Sequence, residues 1–138
     1  MPTYYLAVDI GASSGRHILG WVENGKINLE EVYRFPNGVQ EQNGHLVWDV
    51  DALYLSVVEG IAKAFAKYPE IESLSVDTWG VDYALLDEND QAIGGTYCYR
   101  DSRTEETIPE VHAKIPFEQL FAKTPFHSKF SLCFSSCR

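Results

Sequence analysis

Basic residues are scarce in this chain: eleven lysines and arginines stand against twenty aspartates and glutamates, for a formal net charge of -9 at pH 7. No run of Lys and Arg stands out, so neither a nucleic acid nor an anionic membrane finds the basic stripe it needs. Cysteine is scarce as well. Cys98, Cys133 and Cys137 are an odd number and make no disulfide framework. His127, Cys133 and Cys137 make a poor zinc site, because no second Cys pair accompanies them. No apolar run is long enough to span a bilayer, and Met1-Pro2-Thr3 lacks the basic start and apolar stretch of a signal peptide. The expected location is therefore the cytoplasm. What the chain does have is 138 residues, 45% of them hydrophobic and 22% charged, enough for a domain with its own core. Small polar substrates are the partners left open.

The hydrophobic pattern divides the chain into short segments. Tyr4 to Ile10 is a compact apolar run that reads as a buried strand. A turn at Gly11-Ala12-Ser13-Ser14-Gly15 leads to a second strand, Arg16 to Glu23, and Asn24-Gly25 to a third, Lys26 to Phe35. Asn-Gly between two strand-like runs is a strong hairpin signal, so a three-stranded meander opens the chain. Pro36 to Gly44 reads as a polar loop, followed by a helix with Asp51 as N-cap and Tyr54, Val57, Val58, Ile61, Ala62 and Phe65 along one stripe. Ser73 to Asp77 and Val81 to Leu86 are expected strands, with a turn at Asp87-Glu88-Asn89-Asp90. Arg103 to Lys114 and Pro116 to Lys123 are expected short helices, the first kinked or split by Pro109. The segment 124–138 holds no acidic residue and two of the three cysteines, and is expected to be foreign to the preceding fold, a non-native end.

Three clusters carry chemistry. In the first, Asp9 ends a strand before the small-residue turn, and Gly11 and Gly15 allow close approach of a ligand to the backbone. Successive amides at Ala12, Ser13 and Ser14 suit an anion, Arg16 suits phosphate oxygens, and Asp9 suits magnesium beside a transferred phosphate. The competing reading is a tight hairpin whose glycines serve only the turn. No G-K-[ST] follows, so the turn is not a P-loop. In the second cluster, Asp77-Thr78-Trp79-Gly80-Val81-Asp82, bare backbone at Gly80 lies beside the flat face of Trp79, with Asp77 and Asp82 as acceptors for hydroxyls. This suits a sugar; a β-bulge with Trp79 in the core is the structural alternative. In the third, Arg100 and Asp101 are arranged to fork onto vicinal hydroxyls, or Asp101 and Ser102 cap the next helix, with capping the favoured role for Ser102. His17, His45 and His112 are scattered without visible partners.

Taken together, AVDIGASSGR (Ala7 to Arg16), NGHLVWDVD (Asn43 to Asp51), DTWGVDYALLD (Asp77 to Asp87) and YRDSRT (Tyr99 to Thr104) resemble the FGGY family of carbohydrate kinases over residues 4 to 123. The resemblance implies an α/β fold, a partial ribonuclease-H-like, actin-like ATPase domain forming part of the kinase N-terminal domain over 1–123. It implies transfer of the γ-phosphoryl group of ATP to the 1-hydroxyl of L-rhamnulose, with magnesium. Under it, Ala12, Ser13, Ser14, Gly15 and Arg16 match the ATP-phosphate segment and Asp9 the metal-linked acid. Gly80 matches a substrate contact, with Trp79, Asp82, Arg100 and Asp101 as its neighbours. The family's general-base aspartate and second domain are expected beyond Lys123, so the chain is expected to be a kinase fragment with little activity of its own. The rival expectation is a non-catalytic binding or regulatory module, and self-association through an exposed sheet edge is a third.

Overall fold

The computed structural model describes residues 2–123; the segment 124–138, with His127, Cys133 and Cys137, lies outside the described residues. In chain order the elements are β1 (Tyr4–Ile10), β2 (Ser14–Glu23), β3 (Lys26–Pro36), β4 (Val39–Gln42), β5 (His45–Trp48), α1 (Val50–Lys67), β6 (Ile71–Thr78), β7 (Thr96–Tyr97), a 3-10 turn (Ser102–Thr104), α2 (Thr107–Lys114) and α3 (Phe117–Lys123). Their described residues form two compact units, one of residues 2–38 with Asp49–Trp79 and one of Val39–Trp48 with residues 80–123.

The first unit is a four-stranded sheet in the order β3-β2-β1-β6, with α1 against one face. The expected meander is present. Asn24 and Gly25 both take positive φ (51° and 72°), the two-residue turn that matches strand twist. β1 then pairs in parallel with β6, the strand that α1 leads back into the sheet. β1 alternates: Leu6, Val8 and Ile10 are buried, whereas Tyr5 and Ala7 on the opposite face are exposed. One face of this strand is covered among the described residues, not both.

Leu6, Leu19 and Ala64 form the core, with Tyr4, Trp21, Ile61, Tyr68 and Ile71 around them. The helix lies on the sheet through its small residues. Gly60 and Ala64 are its buried positions, and a Cβ on Gly60 would fall 2.2 Å from the His17 ring. The expected stripe is corrected accordingly: Tyr54, Val58 and Phe65 are 66%, 43% and 41% exposed, and the covered face runs through Leu53, Val57, Gly60, Ile61 and Ala64. Large apolar side chains drew the expected stripe off the face that close packing requires. The N-cap is Asp49, whose Oδ1 accepts from the Ala52 amide at 2.9 Å; Asp51 sits in the first turn, where its charge still suits the helix dipole. Lys67 and Tyr68, at the other end, both donate to Glu30 on β3.

The second unit contains a three-stranded sheet, β4-β5-β7. Pro36 to Gly44 is thus not simply a loop, since Val39–Gln42 pairs with His45–Trp48 across a second Asn-Gly turn, Asn43 and Gly44 at φ 54° and 79°. Val81 to Leu86 is not a strand either. Val81 takes φ 73°, which a β-branched residue rarely tolerates, and the backbone turns there into a narrow loop with one bridge, Leu86 to Ala92. The tip of this loop is held by Asp87, whose Oδ1 accepts from the amides of Asn89 and Gln91. The expected helix from Arg103 breaks into the 3-10 turn and α2, and Pro109 falls in the first turn of α2, where no N–H is needed. Ile115 is extended ahead of Pro116, so α2 ends there and α3 begins. No helix among the described residues is long and apolar enough to cross a membrane.

Candidate functional site

Two groups of candidate residues lie in different units. In the first unit the β1–β2 turn is tightened from inside. The Gly11 amide donates to the Ser14 carbonyl at 2.9 Å, and a Cβ on Gly11 would sit 3.0 Å from that oxygen. Asn37, at the end of β3, closes the turn from outside: its amide donates to the Ser13 carbonyl (3.0 Å) and its Nδ2 to the Gly11 carbonyl (2.9 Å). The carbonyls of Gly11, Ser13 and Ser14 are all occupied, while no hydrogen bond among the described residues uses the amides of Ala12 and Ser13. Carbonyls engaged and amides left over make a turn that favours an anion. Asn37 lay in a stretch read as a loop; the Asn-Gly pair at Asn37-Gly38 was the signal that could have singled it out.

Gly15 has a different role from Gly11. It is buried in β2, and a Cβ there would lie 2.0 Å from the Phe35 ring. Its missing side chain makes room for Phe35, which favours the structural reading for that position. Arg16 is the cross-strand partner of Asp9, and both its Nε and one terminal nitrogen lie 2.8 Å from Asp9 Oδ2. Both side chains remain about half exposed, so solvent screens the pair. In the next strand Asp77 is the parallel neighbour of Asp9, and beyond Arg16 stands Arg34. One row across the sheet therefore reads Arg34, Arg16, Asp9, Asp77, with two carboxylates side by side at the C-terminal ends of the parallel pair. The sequence offers Asp77 as an acceptor for sugar hydroxyls; register also sets it beside Asp9. A magnesium ion fits such a pair, because it takes one or two carboxylates and completes its shell with water and phosphate oxygens. Among the described residues no group of three potential ligands exists to bind a metal by protein alone.

In the second unit Asp82 accepts the indole N–H of Trp48 at 2.7 Å. Gly80 stands in open space, with nothing within 4 Å of where a Cβ would be. Next to it is Val81 in its strained conformation. Strain of this kind survives where surroundings over-determine it, often at ligand sites. Trp79 is the last residue of the first unit and is half-buried. Arg100 is exposed, its Nε donating to the Tyr99 hydroxyl at 3.0 Å.

Of its two expected roles, Asp101 takes the capping one. It is 1% exposed, and its oxygens accept from the Leu46 amide (2.7 Å), the Arg103 amide (3.0 Å), His45 Nδ1 (3.2 Å) and the Arg103 guanidinium (3.4 Å). Burial by itself raises its pKa; the amides of Leu46 and Arg103 with His45 and the Arg103 side chain outweigh it, and the carboxyl titrates below the usual range. An acceptor so fully engaged has no lone pair to offer vicinal hydroxyls. Asp101, not Ser102, also caps the 3-10 turn. Two of the three histidines have hydrogen-bond partners: His45 pairs with Asp101, and His17 Nε2 lies 3.0 Å from the Val57 carbonyl. Cys98 is buried, and burial raises its thiol pKa.

Residues 4–133 match the model of the FGGY family of carbohydrate kinases, N-terminal domain. The chain belongs to the FGGY family of carbohydrate kinases. Among curated relatives of this FGGY chain, the rhamnulokinase of Oceanobacillus iheyensis is 46% identical over 119 residues, covering 86% of this chain and 25% of that protein. The rhamnulokinase of Bacillus subtilis is 36% identical over 133 residues, 93% of this chain and 27% of its own length. The chain thus spans about a quarter of the length of these relatives. Among solved structures, gluconate kinase from Lactobacillus acidophilus superposes with a TM-score of 0.77 at 17% identity, over 93% of this chain and 26% of that one. The fold is accordingly the actin-like ATPase type of the FGGY sugar kinases, α/β and partial, as the resemblance implied.

Proposed function

We propose that this chain is the phosphate- and sugar-binding portion of a rhamnulokinase, which transfers the γ-phosphoryl group of ATP to the 1-hydroxyl of L-rhamnulose in the cytoplasm. The observation that carries the reading is 46% identity to a rhamnulokinase over 119 residues, 86% of this chain. The free amides of Ala12 and Ser13, with the Ser13 and Ser14 hydroxyls and Arg16, bind the ATP phosphates. Asp9, joined by Asp77, holds the magnesium ion, which neutralises phosphate charge when bound. Arg16 exchanges Asp9 for phosphate oxygens as the nucleotide arrives. Gly80, Trp79, Asp82 and Arg100 receive the sugar, Trp79 by its ring face and Asp82 from a position fixed by Trp48. Asp101 orders the second unit from within, through Leu46, His45 and Arg103. Phosphoryl transfer draws on positioning and charge neutralisation, which turns and carboxylates of this kind supply.

The test joins residues 1–123 to the remaining three quarters of the Oceanobacillus iheyensis rhamnulokinase and measures rhamnulose-dependent ADP release with Mg-ATP. The isolated chain is assayed in parallel. Activity in the chimera alone is the expected result. A folded chimera that turns over ATP without regard to rhamnulose removes the substrate assignment. A folded chimera with no turnover favours the non-catalytic module.

A further inference from the structure

We propose that a cavity within the second unit is a binding site for a neutral, polyhydroxylated small molecule of the monosaccharide class. The cavity measures about 410 Å³, and its walls include Gln42, Asn43, His45, Val47, Gly95 and Tyr97. That volume is in the range of small-ligand sites. Among the described residues its lining holds no Lys, Arg, Asp or Glu, so neither an anion nor a cation meets a counter-charge from them. The side-chain amides of Gln42 and Asn43 both donate and accept, as hydroxyls do. Val47 and the Tyr97 ring offer the apolar surface that the C–H face of a sugar covers.

The polar wall is built in advance of any ligand. Asp101 is ionised and can only accept, so the Nδ1 of His45 facing it carries the proton. The buried carboxylate sets the orientation of the His45 ring and leaves Nε2 as the nitrogen outside that contact, able to hydrogen-bond a hydroxyl. Tyr97 is edge-on to the His45 ring (centroids 5.3 Å apart, planes at 82°), and the Arg103 guanidinium lies 4.5 Å over the Tyr97 ring. Arg103 in turn reaches Asp101. Two lining side chains are thus locked by one buried acid, the arrangement that spares a ligand the cost of ordering its site. None of the residues assigned above to direct contact with phosphate or sugar lines this cavity, so the inference does not rest on the proposed kinase activity.

The experiment follows the His45 imidazole by long-range proton–nitrogen NMR in the nitrogen-15-labelled 138-residue chain. L-rhamnose, L-fucose and D-glucose are titrated separately, with inorganic phosphate and magnesium chloride as charged probes. A saturable displacement of His45 Nε2 by at least one sugar, and by neither charged probe, is expected. The variant Gln42→Trp fills the cavity from an exposed β4 position and leaves the His45–Asp101 pair in place; it abolishes the response with the circular dichroism unchanged. Gly80→Leu leaves the response intact, whatever it does to phosphoryl transfer. His45 signals that no sugar moves, that phosphate moves as much, or that respond equally in a folded Gln42→Trp chain overturn the proposal.

Discussion

Single residues separate chemistry from architecture in this chain. Asn37 holds the β1–β2 turn through its side chain and its amide. Asn37→Ala leaves the Gly11 carbonyl without its partner and is expected to cost about 1–3 kcal/mol in urea denaturation. In the chimera the same change raises KM for ATP, because the turn that presents the Ala12 and Ser13 amides loosens; an unchanged KM would leave Asn37 with a purely structural role. Gly80 gives the converse experiment. Open space surrounds it, so Gly80→Leu shifts stability by no more than about 0.5 kcal/mol. If sugar approaches the bare backbone, the variant's KM for rhamnulose in the chimera rises tenfold or more while Tm holds. Equal kinetics would remove Gly80 from the sugar site. Gly15, by contrast, fails through Phe35 and would do so in any assay of folding.

At the scale of elements, the seating of α1 on the sheet depends on His17 and Gly60 together. His17 is fully buried, its Nδ1 has no partner, and burial lowers its pKa more than the Val57 carbonyl raises it. Above about pH 6.5 both folded and unfolded chains carry it neutral. Below that the unfolded chain takes up a proton that the folded one resists, so stability falls as the pH drops from about 6.5 toward the lower folded value. Urea midpoints between pH 7 and 5 should decline less in His17→Leu than in the parent chain; parallel slopes would contradict this. Gly60→Ala drives a methyl into the same ring and should destabilise by about 1–3 kcal/mol. Adding His17→Ala should recover part of that loss, a coupling that independent effects would not show. The strands and α1 were legible because Asn-Gly turns and apolar alternation are local signals. The face of α1 was not, since Gly60 and Ala64 bury little area and show their value only against the sheet. Val81 misled for a related reason: its β-branch favours a strand by propensity, and its surroundings impose φ 73°. The buried network of Asp101 joins residues 55 and 56 positions apart, which no short-range pattern encodes.

On the scale of the whole molecule, β6 stands at one edge of the four-stranded sheet, with Leu74 and Val76 40% and 50% exposed. An uncovered edge strand is a template for another chain. Light scattering should show concentration-dependent association of the isolated chain, reduced by Val76→Lys; a clean monomer at all concentrations would dismiss the idea. The candidate site was readable as three sequence clusters, and its phosphate group keeps that grouping. The pairing of Asp9 with Asp77 came only from strand register, because Thr78 and Trp79 had tied Asp77 by adjacency to the sugar cluster.

The β4–β5 hairpin also sets an order of events during synthesis. Its strands leave the ribosome together, ready to close on their Asn-Gly turn. Yet the Leu46 amide finds Asp101 across 55 residues, and β5 finds β7 only once Thr96 and Tyr97 have emerged. Through that interval the ribosome has made α1 and β6, which lets the first sheet assemble around Leu6 and Leu19 while the hairpin waits. The chain order thus supplies all the strands of the first sheet before Asp101, the acid that locks the hairpin of the second unit.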